Sequence, residues 1–317
     1  LRLAKVLLLV PAAVLAFTCF TGRFTKHVQS AGRVPASEIP GRRLQRSTED
    51  CEVVQWDDLC GHQLPVGSCF RIQPQTAFVC ELLGPGNSEE PSLLLGDGLV
   101  TLQTEGSLRI TGNLRVRSAR FEAESIFFQD AQVETQQSAP NSSAQGGGTF
   151  HSRGALTLER SNITVTGGGA LWGGGLAAGG DVTLVEASLL KVIGSVAVQD
   201  GGGLHTAGAL CLRGGSQIMV EATSAARGGG FFAHGEVVVV ERSLVRVRQT
   251  RAAGLGGGFM AEGMLNMEAG NLDLEHTHSV RSGGGFAVNG SVLATDGSAI
   301  HIRNSSAGIS AGGFLAL

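Results

Sequence analysis

The sequence predicts an all-β protein, a right-handed parallel β-helix built from stacked coils of 27–28 residues. Three observations carry this. Glycine clusters recur at a nearly constant interval, the segments between them alternate apolar and polar residues, and no stretch holds a helical period of useful length. The chain of 317 residues has 48 glycines and only 8 prolines. Because the glycines come in clusters and not at every third position, collagen is excluded, and the alternating apolar runs exclude a flexible linker.

The glycine triplets begin at Gly146, Gly173, Gly201, Gly228, Gly256 and Gly283, in steps of 27 and 28 residues, and Ala311-Gly312-Gly313 continues the series. An apolar residue follows each triplet: Leu176, Leu204, Phe231, Phe259, Phe286 and Phe314, with Phe150 in the slightly longer first unit. A single glycine comes next, then an alternating strand (Leu156/Leu158, Val182/Leu184, Leu210/Leu212, Val237/Val239, Leu265/Met267, Val292/Ala294). A turn carrying Ser161, Ser188, Ser216, Ser243, Gly270 or Ser298 leads to a second strand (Ile163/Val165, Leu190/Val192, Ile218/Val220, Val245/Val247, Leu272/Leu274, Ile300/Ile302).

Period-two alternation means strands with one buried face. Each unit is expected to hold three short strands and cannot bury its apolar face alone. Stacking equivalent units at about 4.8 Å per layer can. The apolar columns become an internal stack, and the serines are expected to form a hydroxyl ladder at one corner. Triplet glycines are expected where corners need positive φ and layers approach closely. Gly229→Val is therefore expected to abolish folding. Residues 91–145 repeat the scheme loosely, with strands at 106–110, 112–116 and 123–128 and a loop at 136–145.

The N-terminal region reads differently. Residues 1–20 place Arg2 and Lys5 before an apolar run from Val6 to Phe20, with small or β-branched residues before a cut at Phe17. This is the pattern of a secretory signal peptide; the alternative is a signal anchor, the only contact with a membrane that the sequence predicts. Residues 21–50 are basic and acid-poor, the pattern of a disordered linker or pro-segment; read instead as a transit peptide behind a signal peptide, they would suit a complex plastid. Residues 51–90 hold Cys51, Cys60, Cys69 and Cys80 without the short spacing of a zinc site. Behind a signal peptide they are expected to form two disulfides, with three connectivities open, in a cap over the end of the solenoid. N-x-S/T patterns at Asn141, Asn162, Asn289 and Asn304 are candidate glycosylation sites that agree with export. Cys211 is expected to be a packed or surface thiol. The regular repeats span 146–317, and the closing AGGFLAL is expected to begin a further unit of a longer protein.

The Gly-Gly-Gly-Phe turn, the Asn-Ser-Ser-Ala segment ahead of the last triplet (Asn304 to Ala307) and the Ser turn resemble the repeats of polymorphic-membrane-protein adhesins. These are β-helical surface proteins of the wider pectin-lyase-like group. The resemblance covers 146–317 and implies the fold and a surface role. Phe or Leu follows the glycines here where Ile is common in that family.

A net charge of −3 with 16% charged residues argues against nucleic acid. Acid–base glycan chemistry needs two carboxylates about 5–10 Å apart. The repeat-region aspartates, Asp181, Asp200, Asp273 and Asp296, occupy different unit positions. His276 and His278 share a strand face without a third ligand in register. No catalytic residue, metal site or cofactor is therefore expected. Arg242, Arg246, Arg248 and Arg251 make a basic stretch that is either solvated or a contact for an anionic glycan. The expectation is an exported, non-enzymatic repeat protein of the cell surface whose partners are surface glycans or proteins. The alternative is a carbohydrate-active lyase or hydrolase with catalytic coils beyond the given sequence. Oligomeric state is open.

Overall fold

The computed structural model describes residues 52–54, 69–72, 100–103, 107–117, 119–137 and 144–317. Residues 1–51 lie outside these, and with them the predicted signal segment and basic linker. So do Asn141 and the side chains of Cys51, Cys60, Cys69 and Cys80. Among the described residues every named element is a strand, and no helix is long and apolar enough to cross a membrane.

The chain is a parallel β-helix. An 11-stranded sheet runs from Glu52–Val54 through Cys69–Ile72 and Val100–Gln103 to Phe314–Ala316. A six-stranded sheet runs from Gly169–Trp172 to Ser306–Ala307. A third sheet of 14 strands is folded at its middle, where the 12-residue strand Ser125–Gln136 pairs with both Leu156–Glu159 and Asn162–Thr166. From the next coil on, the Ser corner divides that strand in two. A regular coil thus has four strands, for example Leu176–Ala178, Val182–Val185, Leu189–Ile193 and Val196–Asp200. The sequence suggested three. The fourth shrinks to two residues from Ser224–Ala225 onward, too short to display a period.

Registers follow the expected columns. Leu176 pairs with Phe150 and Leu204, Val182 with Leu156 and Leu210, and Leu190 with Ile163 and Ile218. These residues form one continuous core, and inside it the rings of Phe231, Phe259 and Phe286 stack face to face at 4.5 and 4.9 Å, with the half-exposed Phe314 continuing the stack at 5.0 Å from Phe286. The early region is also stacked, but as Val100–Gln103, Ser107–Arg117, Ala119–Ala123 and Ser125–Gln136. The expected strand 123–128 is instead cut by a corner at Glu124, and in place of separate strands at 106–110 and 112–116 there is one strand, Ser107–Arg117, with a bulge between Ile110 and Gly112. The two strands described within 51–90 extend the first sheet in parallel.

The triplets serve three separate needs, one per position. The first residue is left-handed: φ is 57° at Gly173, 59° at Gly228 and 68° at Gly256. In the first unit that residue is Gly147 (φ 54°), not Gly146, because Phe150 and Leu176 are paired. The steps between turn residues, Gly147 to Gly173 and onward to Ala311, are therefore 26 to 28. The second glycine meets backbone of the next coil: a Cβ on Gly229 would sit 2.6 Å from the Arg251 carbonyl carbon. The third faces the core, where a Cβ on Gly230 would meet Val247 Cγ1 at 2.7 Å.

The serine ladder runs through backbone amides and not from hydroxyl to hydroxyl. Ser188 Oγ accepts from Ser161 N at 3.2 Å and donates to Val185 O at 2.6 Å, and Ser216 Oγ accepts from Ser188 N at 3.2 Å. Ser161, Ser188, Ser216 and Ser298 each satisfy one donor of the coil below and one acceptor of their own turn, whereas the buried Ser243 hydroxyl in the same column has no partner among the described residues. The turn itself uses two left-handed residues, Glu186 (φ 54°) and Ala187 (φ 58°), where the next coil has Gly214 and Gly215. A non-glycine residue there costs about 1–2 kcal/mol, against about 0.5–1 kcal/mol for the extra freedom of glycine when unfolded. Ala187→Gly is therefore expected to stabilise the protein by about 0.5–1 kcal/mol, read as a higher urea midpoint at unchanged slope. A lower midpoint would contradict the turn assignment.

Candidate functional site

The residue after each core Phe or Leu points away from the solenoid axis. On an ordinary solvent-facing strand it would be polar. Here the row in register reads Ala177, His205, Phe232, Met260, Ala287 and Leu315. Phe232 is 0% exposed and His205 only 8%. The triplet corner explains this burial. It turns the chain so that the residues just ahead of the glycines, Trp172, Asp200, Arg227 and Leu255, stand beside this outer row.

The result is a ladder along the outside of the first sheet. Trp172 and His205 stack at 6.2 Å, and His205 and Phe232 at 5.8 Å with planes 9° apart. The Arg227 guanidinium lies 4.7 Å over the Phe232 ring, a cation–π contact. Arg227 grips Asp200 with two hydrogen bonds of 2.7 and 2.8 Å and reaches within 3.6 Å of Glu262. His234 sets its ring edge against His205 and Phe232 and shares a 2.8 Å hydrogen bond with Glu262. At the ladder's outer end, Trp172 Nε1 donates to Gln199 Oε1 at 2.7 Å.

Burial, and then the neighbouring His234, push the His205 imidazole down to about 4, against the smaller opposing pull of Asp200. His205 is therefore neutral near pH 7. Unfolded, it would titrate near pH 6.5, so between about 6.5 and 4 the unfolded chain binds the extra proton. Stability is complete above pH 6.5 and falls as pH drops toward 4, by up to about 3 kcal/mol from this group. His205→Phe is expected to flatten the Tm-versus-pH curve in that window. An equally steep curve in the variant would refute the assignment.

Other sequence-predicted positions are placed as follows. Asn162, Asn289 and Asn304 are exposed, and Asn304 occupies a left-handed corner (φ 51°) beside His276. Thr277 is buried, while His276 and His278 line a shallow groove with Gln249, Thr250 and Arg251; His278 bonds Ser306 Oγ at 2.9 Å. No group of three or more His, Cys, Asp or Glu among the described residues could hold a metal ion. Two of the four arginines of the stretch, Arg246 and Arg248, are paired, while Arg242 and Arg251 are exposed. Asp273 of the next coil takes Arg246 at 3.0 Å and Arg303 at 2.7 Å, and Arg248 lies 3.2 Å from Glu275. Cys211 is disulfide-bonded, which corrects the expectation of a thiol; the partner cysteine lies outside the described side chains.

Residue types alone did not point to the ladder. Its one sequence signal is positional: a bulky or charged residue directly before the glycines (Trp172, Asp200, Arg227) five places ahead of Ala177, His205 and Phe232.

Fold and site together define a parallel β-solenoid with a closed aromatic and ionic ladder on its outer surface. The chain matches no family model, no curated protein and no solved structure.

Proposed function

We propose that this is a non-enzymatic, exported repeat protein whose outer face recognises glycans or proteins at a cell surface. One observation carries the reading: the polar and aromatic groups of the outer ladder are locked to one another. Asp200 is held by Arg227 and Glu262 by His234 and Arg227; on the 14-stranded sheet, Asp273 is likewise held by three arginines. Carboxylates so engaged are held in place by their partners, which suits rigid recognition. The repeat pattern's resemblance to surface adhesins points the same way. Export rests on the N-terminal apolar segment, the clustered cysteines and the exposed asparagine patterns.

The test is retention of the whole chain on immobilised polysaccharides and cell-surface extracts, with release of reducing ends and unsaturated uronates followed alongside. Retention without cleavage is expected. Cleavage would replace this reading with the carbohydrate-active enzyme. Peptide mapping of the native protein is expected to find a start at Phe17 or Ser47 and added mass at Asn162 and Asn304. An intact N-terminus with bare asparagines would remove export from the reading.

A further inference from the structure

Resting on that reading, we infer that Trp172 and Gln199 form a subsite for one uncharged pyranose unit of an extended glycan. Trp172 is half-buried, and its indole is fixed from two sides. His205 supports one face, itself backed by the fully buried Phe232, and Gln199 accepts the indole N–H. An aromatic ring whose polar atom is already satisfied offers its remaining surface as apolar area held at little entropic cost. The neighbour in register in the preceding coil is Gly146, which has no side chain to cover the indole.

The polar complement is as specific. The Gln199 Oε1 is taken by the indole, so its orientation is set. Gln199 is exposed, and its Nε2 makes no hydrogen bond among the described residues. Two donors therefore face solvent beside an apolar ring, the pairing that a sugar's C–H face and flanking hydroxyl would use. Val196 (44% exposed) and Val198 (55% exposed) continue the apolar shelf on the same strand as Gln199. The shelf is local, because strand Gly169–Trp172 and strand Val196–Asp200 shorten to two residues in the following coils.

The charges decide the ligand class. Among the described residues two cations lie in the coils beside the shelf, and both are taken: Arg227 is saturated by Asp200 and approached by Glu262, and the buried Arg120, which donates to Gly146 O, pairs with Glu122 at 2.8 Å. A uronate or sulfated sugar would meet two carboxylates and no available cation. An uncharged hexose meets only donors and an apolar face.

The experiment titrates the whole chain with cellohexaose, laminarihexaose, chitohexaose and polygalacturonate by calorimetry. One of the neutral hexasaccharides is expected to bind, with polygalacturonate neither binding nor competing. Trp172→Ala is expected to weaken that binding on the order of tenfold or more, Trp172→Phe to restore most of it, and Gln199→Ala to weaken it less. Thermal unfolding of the Gln199→Ala and Trp172→Phe variants separates loss of the site from loss of the fold. Binding unchanged in Trp172→Ala, or confined to polygalacturonate, overturns this inference and leaves surface recognition standing. If none of the four probes binds, the subsite is refuted, while retention on cell-surface proteins would still support the broader reading.

Discussion

Gly229→Ala is expected to abolish folding of the whole repeat array, and Gly229→Val likewise, whereas Gly215→Ala costs only about 1 kcal/mol. Both positions lie in turns, so the contrast isolates the reason glycine is there. At Gly215 the backbone is left-handed (φ 72°), yet an added Cβ would meet nothing within 4 Å. Its penalty is conformational alone. At Gly229 the conformation is ordinary, but a Cβ would lie 2.6 and 2.7 Å from the carbonyl carbon and oxygen of Arg251 and closer still to Gly257 O. These atoms belong to backbone that is itself hydrogen-bonded: Gly229 N donates to Gly256 O at 3.0 Å and Arg251 N to Thr223 O at 3.1 Å. Relief requires separating two coils, which breaks a ladder of such bonds on each side of the corner. The readout is far-ultraviolet circular dichroism with a urea transition for both variants. A Gly229→Ala protein that unfolds cooperatively near the wild-type midpoint would overturn the close-approach account.

The same contrast shows which features could be read from the chain. The inward columns were legible because each recurs in kind: Leu184, Leu212, Val239 and Met267 are all apolar and all fully buried. The corner glycines were legible for the same reason, except at Gly146, where a unit one residue out of step hid the structural role of Gly147. The outer row was not legible, because Ala177, His205, Phe232, Met260 and Ala287 share no chemistry. Their burial comes from the residue before the glycines folding across them, a tertiary effect. The arginine stretch was misleading for a related reason. Arg246 and Arg248 look unpaired along the sequence, while Asp273 and Glu275 are supplied 27 residues later by the coil stacked on them. In a solenoid, spatial neighbours are one repeat apart, so local charge counts mislead wherever adjacent repeats differ in sign.

That nearest-neighbour logic gives the second large effect. Phe259→Ala is expected to cost about 3–5 kcal/mol and to split the unfolding transition in two. Phe259 is fully buried and stacked between Phe231 at 4.5 Å and Phe286 at 4.9 Å, with planes within 6°. Deleting the ring removes its transfer energy, leaves a cavity and ends two stacking contacts worth about 0.5–1.5 kcal/mol each. The loss falls on the interfaces of one coil with its two neighbours. Coils beyond it then remain joined to the array through a weakened layer, and amide exchange is expected to speed up first at 256–317. Phe259→Leu is the control, since Leu176 and Leu204 fill the same column in earlier coils. It keeps the site apolar and nearly filled, so it is expected to cost less than about 1.5 kcal/mol and to leave one transition. Two outcomes would count against a stacked core with nearest-neighbour energetics: a single transition for Phe259→Ala with exchange raised uniformly along the chain, or a loss no larger than that of Phe259→Leu. The first would mean that the coils unfold as one cooperative block, and the second that the phenylalanine rings contribute only apolar volume and their stacking adds nothing.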